Sequence, residues 1–205
     1  MKADRVGIFG GAFDPIHIGH LFVASAVASE AGLERVLFLP VGDPAHRTVH
    51  APPQDRREMV ALAIEGDPRF ALNETAIRQP GPVYTADTMP LLRQAYPHAE
   101  FYFIAGADSL VDTPWRRLEE VAHNLQRFYV VAREGTDASR LAPTLATLPD
   151  DLAHRFVLLN LPLVDVSSTV IRQRVAQGKP IRYLVPDPVA RYIEDKSLYK
   201  KDGAG

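Results

Sequence analysis

VGIFGGAFDPIHIGH, residues 6–20, decides how the rest of the chain is read. Its apolar opening, Val6, Ile8 and Phe9, reads as a buried strand. Gly10 and Gly11 mark a tight turn, and the segment beyond them enters a helix carrying His17 and His20 three residues apart. Glycine lets a backbone approach an anion closely, and the first turn of a helix offers unpaired N–H groups, so the stretch has the makings of a phosphate site. Two imidazoles at i and i+3 share one face of that turn.

Working outward, Leu21, Ala24, Val27, Ala28 and Ala31 keep helical spacing until Gly32 stops it. Arg35–Pro40 (RVLFLP) is a short apolar run of the kind found in a strand covered on both faces, so strand, helix and strand form a first parallel crossover unit. Residues 41–53 are polar and broken by proline, and predict a long surface loop with His46, Arg47 and His50. A helix is expected over 56–64, a strand over 70–78, and a helix from Thr85 that Pro90 interrupts. Further strands are expected at 100–105, at Arg127–Arg133 and at 155–160, with a short helix at 118–122 and one weak helix in the irregular stretch 134–151. The end of the chain, about 166–200, predicts two helices with N-cap signals at Ser167, Ser168 and Thr169 and again at Asp187, where Pro188 suits the first turn; residues after Lys200 are expected to fray.

Alternation of strands with helices predicts an α/β fold, a doubly wound, Rossmann-like parallel sheet with helices on both faces and a small C-terminal helical element. Such a sheet binds its ligand beyond the carboxyl ends of its strands. His17, His46, Asp108 and Arg133 each lie just after a predicted strand.

A chain of 205 residues reads as one domain, 1–205, with enough surface to bury for a core of its own. It has no cysteine, which removes disulfides and thiolate zinc sites and suits the cytoplasm. The 23 lysines and arginines nearly balance 25 aspartates and glutamates, so net charge suggests neither nucleic acid nor a membrane surface as partner. No apolar run reaches the length of a membrane span, and no signal-peptide core precedes the first strand.

Each motif has a plainer reading. A Gly-Gly turn is a common connector, and Gly7, Gly10 and Gly11 lack the dinucleotide spacing; no P-loop occurs anywhere. His17 and His20 could ligate a metal, but there is no H-E-x-x-H and no third ligand at a telling distance. Ser167, Ser168, Thr169 and Arg172 by themselves make a capped helix with a solvated arginine. Taken with the first site, they supply a second helix N-terminus, hydroxyls and a guanidinium, a cradle for the far end of a polyphosphate. Two anion sites point to a nucleoside triphosphate.

The motifs GGAFDPIHIGHL (10–21), DPAHR (43–47), VYTADT (83–88), GADSL (106–110), VVAR (130–133) and VSSTVIR (166–172) occur in one order over nearly the whole chain. Together they resemble the bacterial nicotinate-nucleotide adenylyltransferases of the H-x-G-H nucleotidyltransferase superfamily. The first and last motifs alone specify only the superfamily; VYTADT and the spacing from GADSL to Trp115 narrow the resemblance to the nicotinate branch.

The resemblance implies transfer of AMP from ATP to nicotinate mononucleotide, with magnesium carried by the ATP phosphates and no protein metal ligand. It implies that His17 and His20 are catalytic. Gly10, Gly11, Phe13, Gly106, Asp108, Arg133, Ser167, Ser168, Thr169 and Arg172 would bind ATP. Ala12, His46, Arg47, Tyr84, Thr85 and Trp115 would bind nicotinate mononucleotide, Trp115 by stacking on the pyridine ring and Tyr84 with Thr85 by meeting its carboxylate. Two positions depart from the family pattern. Ala12 stands where a threonine or serine is usual, so a backbone N–H must serve, and Arg47 stands in place of a lysine, keeping the charge on a planar fork. Other phosphorylated acceptors, nicotinamide mononucleotide or phosphopantetheine, and a non-catalytic nucleotide sensor are the rival readings; a nicotinamide-dependent dehydrogenase is weakened by the missing fingerprint. The partners implied are small molecules, and a homo-oligomer is compatible with the sequence.

Overall fold

The structure, a computed structural model, describes residues 3–44, 48–111, 115–133, 138–162 and 164–200. In chain order the elements are β1 (Arg5–Gly11), α1 (Ile18–Glu30), β2 (Arg35–Pro40), β3 (Asp43–Pro44), α2 (Pro53–Ile64), β4 (Phe70–Leu72), β5 (Pro82–Val83), α3 (Thr85–Ala95), β6 (Glu100–Gly106), α4 (Ala107–Val111), α5 (Leu118–His123) and β7 (Arg127–Arg133). A 3-10 turn (Ala138–Leu141), α6 (Ala142–Leu145), α7 (Asp150–Ala153), β8 (Phe156–Leu161), α8 (Ser168–Ala176) and α9 (Asp187–Asp195) complete the described part.

The main sheet is parallel, in the order β4-β2-β1-β6-β7-β8. Strand order reverses between β1 and β6, and that reversal opens a crevice at the carboxyl ends of these two strands. Side chains alternate along each strand, so the sheet divides the core in two. Val6, Ile8, Leu37, Leu39, Phe101 and Phe103 pack on one face against Met89 and Leu92 of α3 and Val121 of α5. Phe9, Val36, Phe38 and Ile104 pack on the other against Val27 of α1, Met59 and Val60 of α2, Ile171 of α8 and Ile193 of α9. The doubly wound sheet predicted from the alternating pattern is therefore the one observed.

Several boundaries differ from expectation. The strand expected over 70–78 stops at Leu72, because the Asn73 side chain accepts the Thr75 N–H at 2.9 Å and turns the chain. Helix α3 starts at Thr85 as predicted but runs through Pro90 without a break. The ring removes one helical donor, yet Met89 and Leu92 are fully buried beside it and hold the axis. The segment 41–53 is not simply a surface loop: Asp43 and Pro44 pair with Pro82 and Val83, Ala51 is buried, and α2 begins at Pro53, three residues earlier than its periodicity suggests. Stretch 138–153 holds a 3-10 turn and two single-turn helices where one weak helix was expected. Pro186, not Asp187, is the cap residue of α9, with Pro188 in its first turn. The expected fraying after Lys200 lies outside the described residues.

Candidate active site

Strand β1 runs through both of its terminal glycines, which pair with Leu39 and Pro40 of β2. This corrects the expected tight turn at Gly10 and Gly11: neither has positive φ, and both are extended. What Gly11 contributes is the absence of a side chain, since a Cβ there would stand 3.1 to 3.3 Å from the Phe13 ring. The strained position belongs to Phe13, at φ 48°, a backbone region that non-glycine residues enter only when the surroundings hold them there. Its ring is buried among Phe9, Phe38 and His20, with centroids 5.7, 5.9 and 5.1 Å away. Any contact of Phe13 with ATP is therefore through its backbone.

His17 is the N-cap of α1 and His20 sits one turn on. The His17 N–H donates to His20 Nδ1 at 3.2 Å, and the two rings stack with centroids 3.7 Å apart. With Nδ1 accepting, a neutral His20 carries its proton on Nε2. Gly19 makes the stack possible, because a Cβ there would lie 3.1 Å from Nδ1 and Cε1 of His17. The helix start is less open than its sequence suggests: the Ile18 N–H donates to the Leu184 carbonyl at 3.0 Å and the His20 N–H to the His17 carbonyl at 3.0 Å.

His17 is 7% exposed, and its Nδ1 has no hydrogen-bond partner among the described residues. Burial alone pushes its pKa down to about 4, so the imidazole is neutral at pH 7. A consequence for stability follows. Between pH 6.5 and about 4 the unfolded chain binds a proton at His17 that the folded chain refuses, so the folded state loses stability as pH falls through that window and keeps it in full above. Urea unfolding at pH 7.5 and pH 4.5 should show a loss larger in the wild type than in His17→Asn by up to about 3 kcal/mol. Equal losses in the two proteins would remove His17 as the source.

The second anion site is brought against the first. Ser167 caps α8 by accepting the Val170 N–H at 3.2 Å, which leaves its own hydroxyl proton for another acceptor. Ser168 Oγ donates to the Pro15 carbonyl at 2.9 Å. Arg172 Nη1 donates to the Asp14 carbonyl at 2.7 Å, and Nη2 to Thr169 Oγ1 at 3.2 Å. All four residues thus have part of their hydrogen bonding committed within the chain.

Two buried charged residues that sequence reasoning passed over hold this junction. Asp14, 4% exposed, accepts through Oδ1 from the Ala51 N–H at 3.1 Å and the Tyr199 hydroxyl at 2.8 Å, and through Oδ2 from the His50 N–H at 2.7 Å. Burial and the neighbouring carboxylate raise the Tyr199 pKa, which keeps the phenol protonated and donating. Arg56, fully buried, donates from Nη1 to the Ala12 carbonyl at 2.7 Å and the Val41 carbonyl at 2.6 Å, from Nη2 to the Gly42 carbonyl, and from Nε to the Ala51 carbonyl at 3.1 Å. It gathers the segments that leave β1 and β2. A signal was present: Arg56 lies three and four residues before Met59 and Val60, on the apolar face of α2.

On the other side of the crevice, Gly106 ends β6, and a Cβ added there would meet no atom within 4 Å. Asp108, on α4, is mostly exposed and lies 3.7 Å from Arg140 Nη1. Tyr84 is the N-cap of α3, with the Arg116 guanidinium 5.0 Å from its ring centroid. Thr85 and Gly10 line a small cavity of about 40 Å³ with Leu39, Val83 and Phe103. Trp115 packs edge-on against Phe103 and Phe128, and its indole N–H donates to the Ser109 carbonyl at 3.0 Å, so it is at least partly a core residue. A surface depression of about 450 Å³ lies between the end of α2 and β4, and none of the predicted site residues lines it. His46 and Arg47 lie outside the described residues, as does the side chain of Arg133, whose backbone ends β7.

Crevice, stacked histidines and capped second helix define a class, the nucleotidyltransferases, and a model of the cytidylyltransferase-like family matches residues 8–174. The chain is 44% identical to a protein named "Probable nicotinate-nucleotide adenylyltransferase" in Rubrobacter xylanophilus, over 97% of this chain and 93% of the other. A protein of the same name in Thermomicrobium roseum is 43% identical over 96% and 92% of the two chains. The solved structure of Plasmodium falciparum nicotinic acid mononucleotide adenylyltransferase complexed with NaAD shares the fold, with a TM-score of 0.76 at 19% identity over 96% of this chain and 97% of that one. The chain belongs to the nicotinate-nucleotide adenylyltransferase family.

Proposed function

We propose that the chain transfers AMP from ATP to nicotinate mononucleotide, releasing pyrophosphate and forming nicotinate adenine dinucleotide for NAD biosynthesis. The observation that carries the mechanism is the stacked His17 and His20 pair at the reversal of strand order, with the second anion site brought against it by the bonds of Ser168 to Pro15 and of Arg172 to Asp14.

In this reading a phosphate oxygen of the mononucleotide attacks the α-phosphorus of ATP in line, the bond to the β-phosphate oxygen breaks, and its electron pair leaves with pyrophosphate. No covalent enzyme intermediate is needed, and the protein contributes position and charge stabilisation. His20 donates from Nε2 to the triphosphate as charge develops on the leaving group. Ser167 and the free donors of Arg172 hold the β- and γ-phosphates, with Ser168 and Thr169 shaping the helix start. Gly106 and Asp108 meet the ribose, and Arg133 lies near adenine. The N–H of Ala12, whose carbonyl is fixed by Arg56, meets the phosphate of the mononucleotide together with His46 and Arg47. Tyr84 and Thr85 receive the pyridine carboxylate at the N-terminus of α3, where a negative charge is favoured, and Trp115 flanks the ring. Magnesium would enter with the triphosphate, as the counterion of its phosphates. The proposed setting is the cytoplasm, with small molecules as partners, neither nucleic acid nor membrane among them, and self-association of the chain left to measurement.

Pyrophosphate release with MgATP and each of three acceptors side by side tests the reading. Nicotinate mononucleotide should turn over fastest, with nicotinamide mononucleotide about tenfold slower because its carboxamide lacks the charge that the helix end favours, and phosphopantetheine inert. ATP binding with no turnover of any acceptor would instead establish a nucleotide sensor.

A further inference from the structure

Tyr199 lies 185 residues from Asp14 in sequence, yet its hydroxyl donates to Asp14 Oδ1 at 2.8 Å. The same carboxylate accepts from the backbone N–H groups of His50 and Ala51, and His50 Nδ1 stands 3.3 Å from its Oδ2; with the Tyr199 hydroxyl these contacts fix its rotation. In that rotation Oδ2 stands 4.0 Å from Arg172 Nη1, at the outer limit of an ion pair, while Nη1 bonds the Asp14 backbone carbonyl at 2.7 Å. Arg172 is 19% exposed in its side chain and has used two of its five N–H donors in the bonds to Asp14 and Thr169. Were the carboxylate free to turn, it would close a two-pronged pair with the guanidinium, the strongest partner available to it. The arginine would then be neutralised and drawn away from solvent.

We propose that Tyr199 is a positioning residue of the active site, holding the Asp14 carboxylate off Arg172 so that the guanidinium stays available to the polyphosphate of ATP. The inference rests on the reading of Arg172 as a phosphate contact. It adds a residue of the C-terminal segment to the reaction's machinery without placing it on the substrate. Its bond is to Asp14, and through Asp14 it bears on Arg172.

Calorimetric binding of MgATP, read beside steady-state kinetics and thermal unfolding, tests it. Tyr199→Phe keeps the ring and its packing and should weaken ATP binding about tenfold, with kcat and the KM for nicotinate mononucleotide changed less than threefold. In an Arg172→Ala background the same replacement should change ATP affinity less than twofold, since the group it acts through is gone. A loose fold would lower ATP affinity in both backgrounds alike, and that additive result overturns the proposal, as does unchanged affinity in the single variant. Should Tyr199→Phe fold poorly, Asp14→Asn alone serves: with no anionic oxygen left to draw on Arg172, it should bind MgATP at least as tightly as the wild type, and a tenfold weaker affinity in folded protein overturns the proposal. Wild-type protein that binds MgATP but turns over no acceptor would instead remove the adenylyltransferase reading, leaving the affinity comparison intact.

Discussion

His20→Ala is expected to lower kcat for pyrophosphate release by about 100- to 1000-fold, the usual effect of deleting one donor aimed at charge that develops in a transition state. The structure says why the loss falls mainly on chemistry. His20 fixes its own tautomer by accepting the His17 N–H on Nδ1, and its ring lies flat against His17. Alanine removes the proposed Nε2 donor and the acceptor that caps the helix start, and the second loss costs about 1 kcal/mol of stability. His20→Asn separates the two, because its shorter side chain offers an acceptor near the cap but no donor at the imidazole's reach. Asn should recover part of the unfolding midpoint without recovering kcat. A fall of less than threefold in either variant, in protein shown by circular dichroism to be folded, would take His20 out of the mechanism.

Arg56→Met is expected to be the most damaging single substitution for stability. It leaves the carbonyls of Ala12, Val41, Gly42 and Ala51 without their buried donor, and each such orphan costs on the order of 1 to 3 kcal/mol before relaxation. Some will find water or shift, so a net loss of about 4 kcal/mol is expected, a thermal midpoint lower by roughly 10 °C in a chain of this size. Arg56→Lys, with three donors on one compact ammonium in place of a planar fork, should fall between. Urea unfolding decides it: a loss below 1 kcal/mol in Arg56→Met would mean that the four carbonyls are satisfied in other ways.

The contrast between these two residues shows where the sequence was legible. His17 and His20 stand at a spacing that only a helix turn makes meaningful, and the strands around them announce themselves by apolar runs, so the sheet and the place of the crevice could be read from local pattern. The pairing of residues 6–20 with 166–172 was also reachable, because both stretches carry anion-binding chemistry. Arg56 looked like the polar start of an ordinary helix, although its phase with Met59 and Val60 marked it as inward-facing. Asp14 and Tyr199 carry no local signal at all, since a buried carboxylate is recognised by its partners and these lie 37 and 185 residues away. Gly10 and Gly11 misled because glycine pairs signal turns, whereas here β2 continues the ladder past both and Phe13 makes the reversal.

The bonds that close the opening stretch span 153 residues from Pro15 to Ser168, 158 from Asp14 to Arg172 and 185 from Asp14 to Tyr199. A ribosome makes the histidines well before the groups that brace them, so during synthesis the strand and helix around them wait with a buried-type carboxylate still in water and a helix start still lacking the Leu184 carbonyl. A chain that stops before α8 carries both histidines without Ser168, Arg172, the Leu184 carbonyl or Tyr199, and is expected to lack the second anion site.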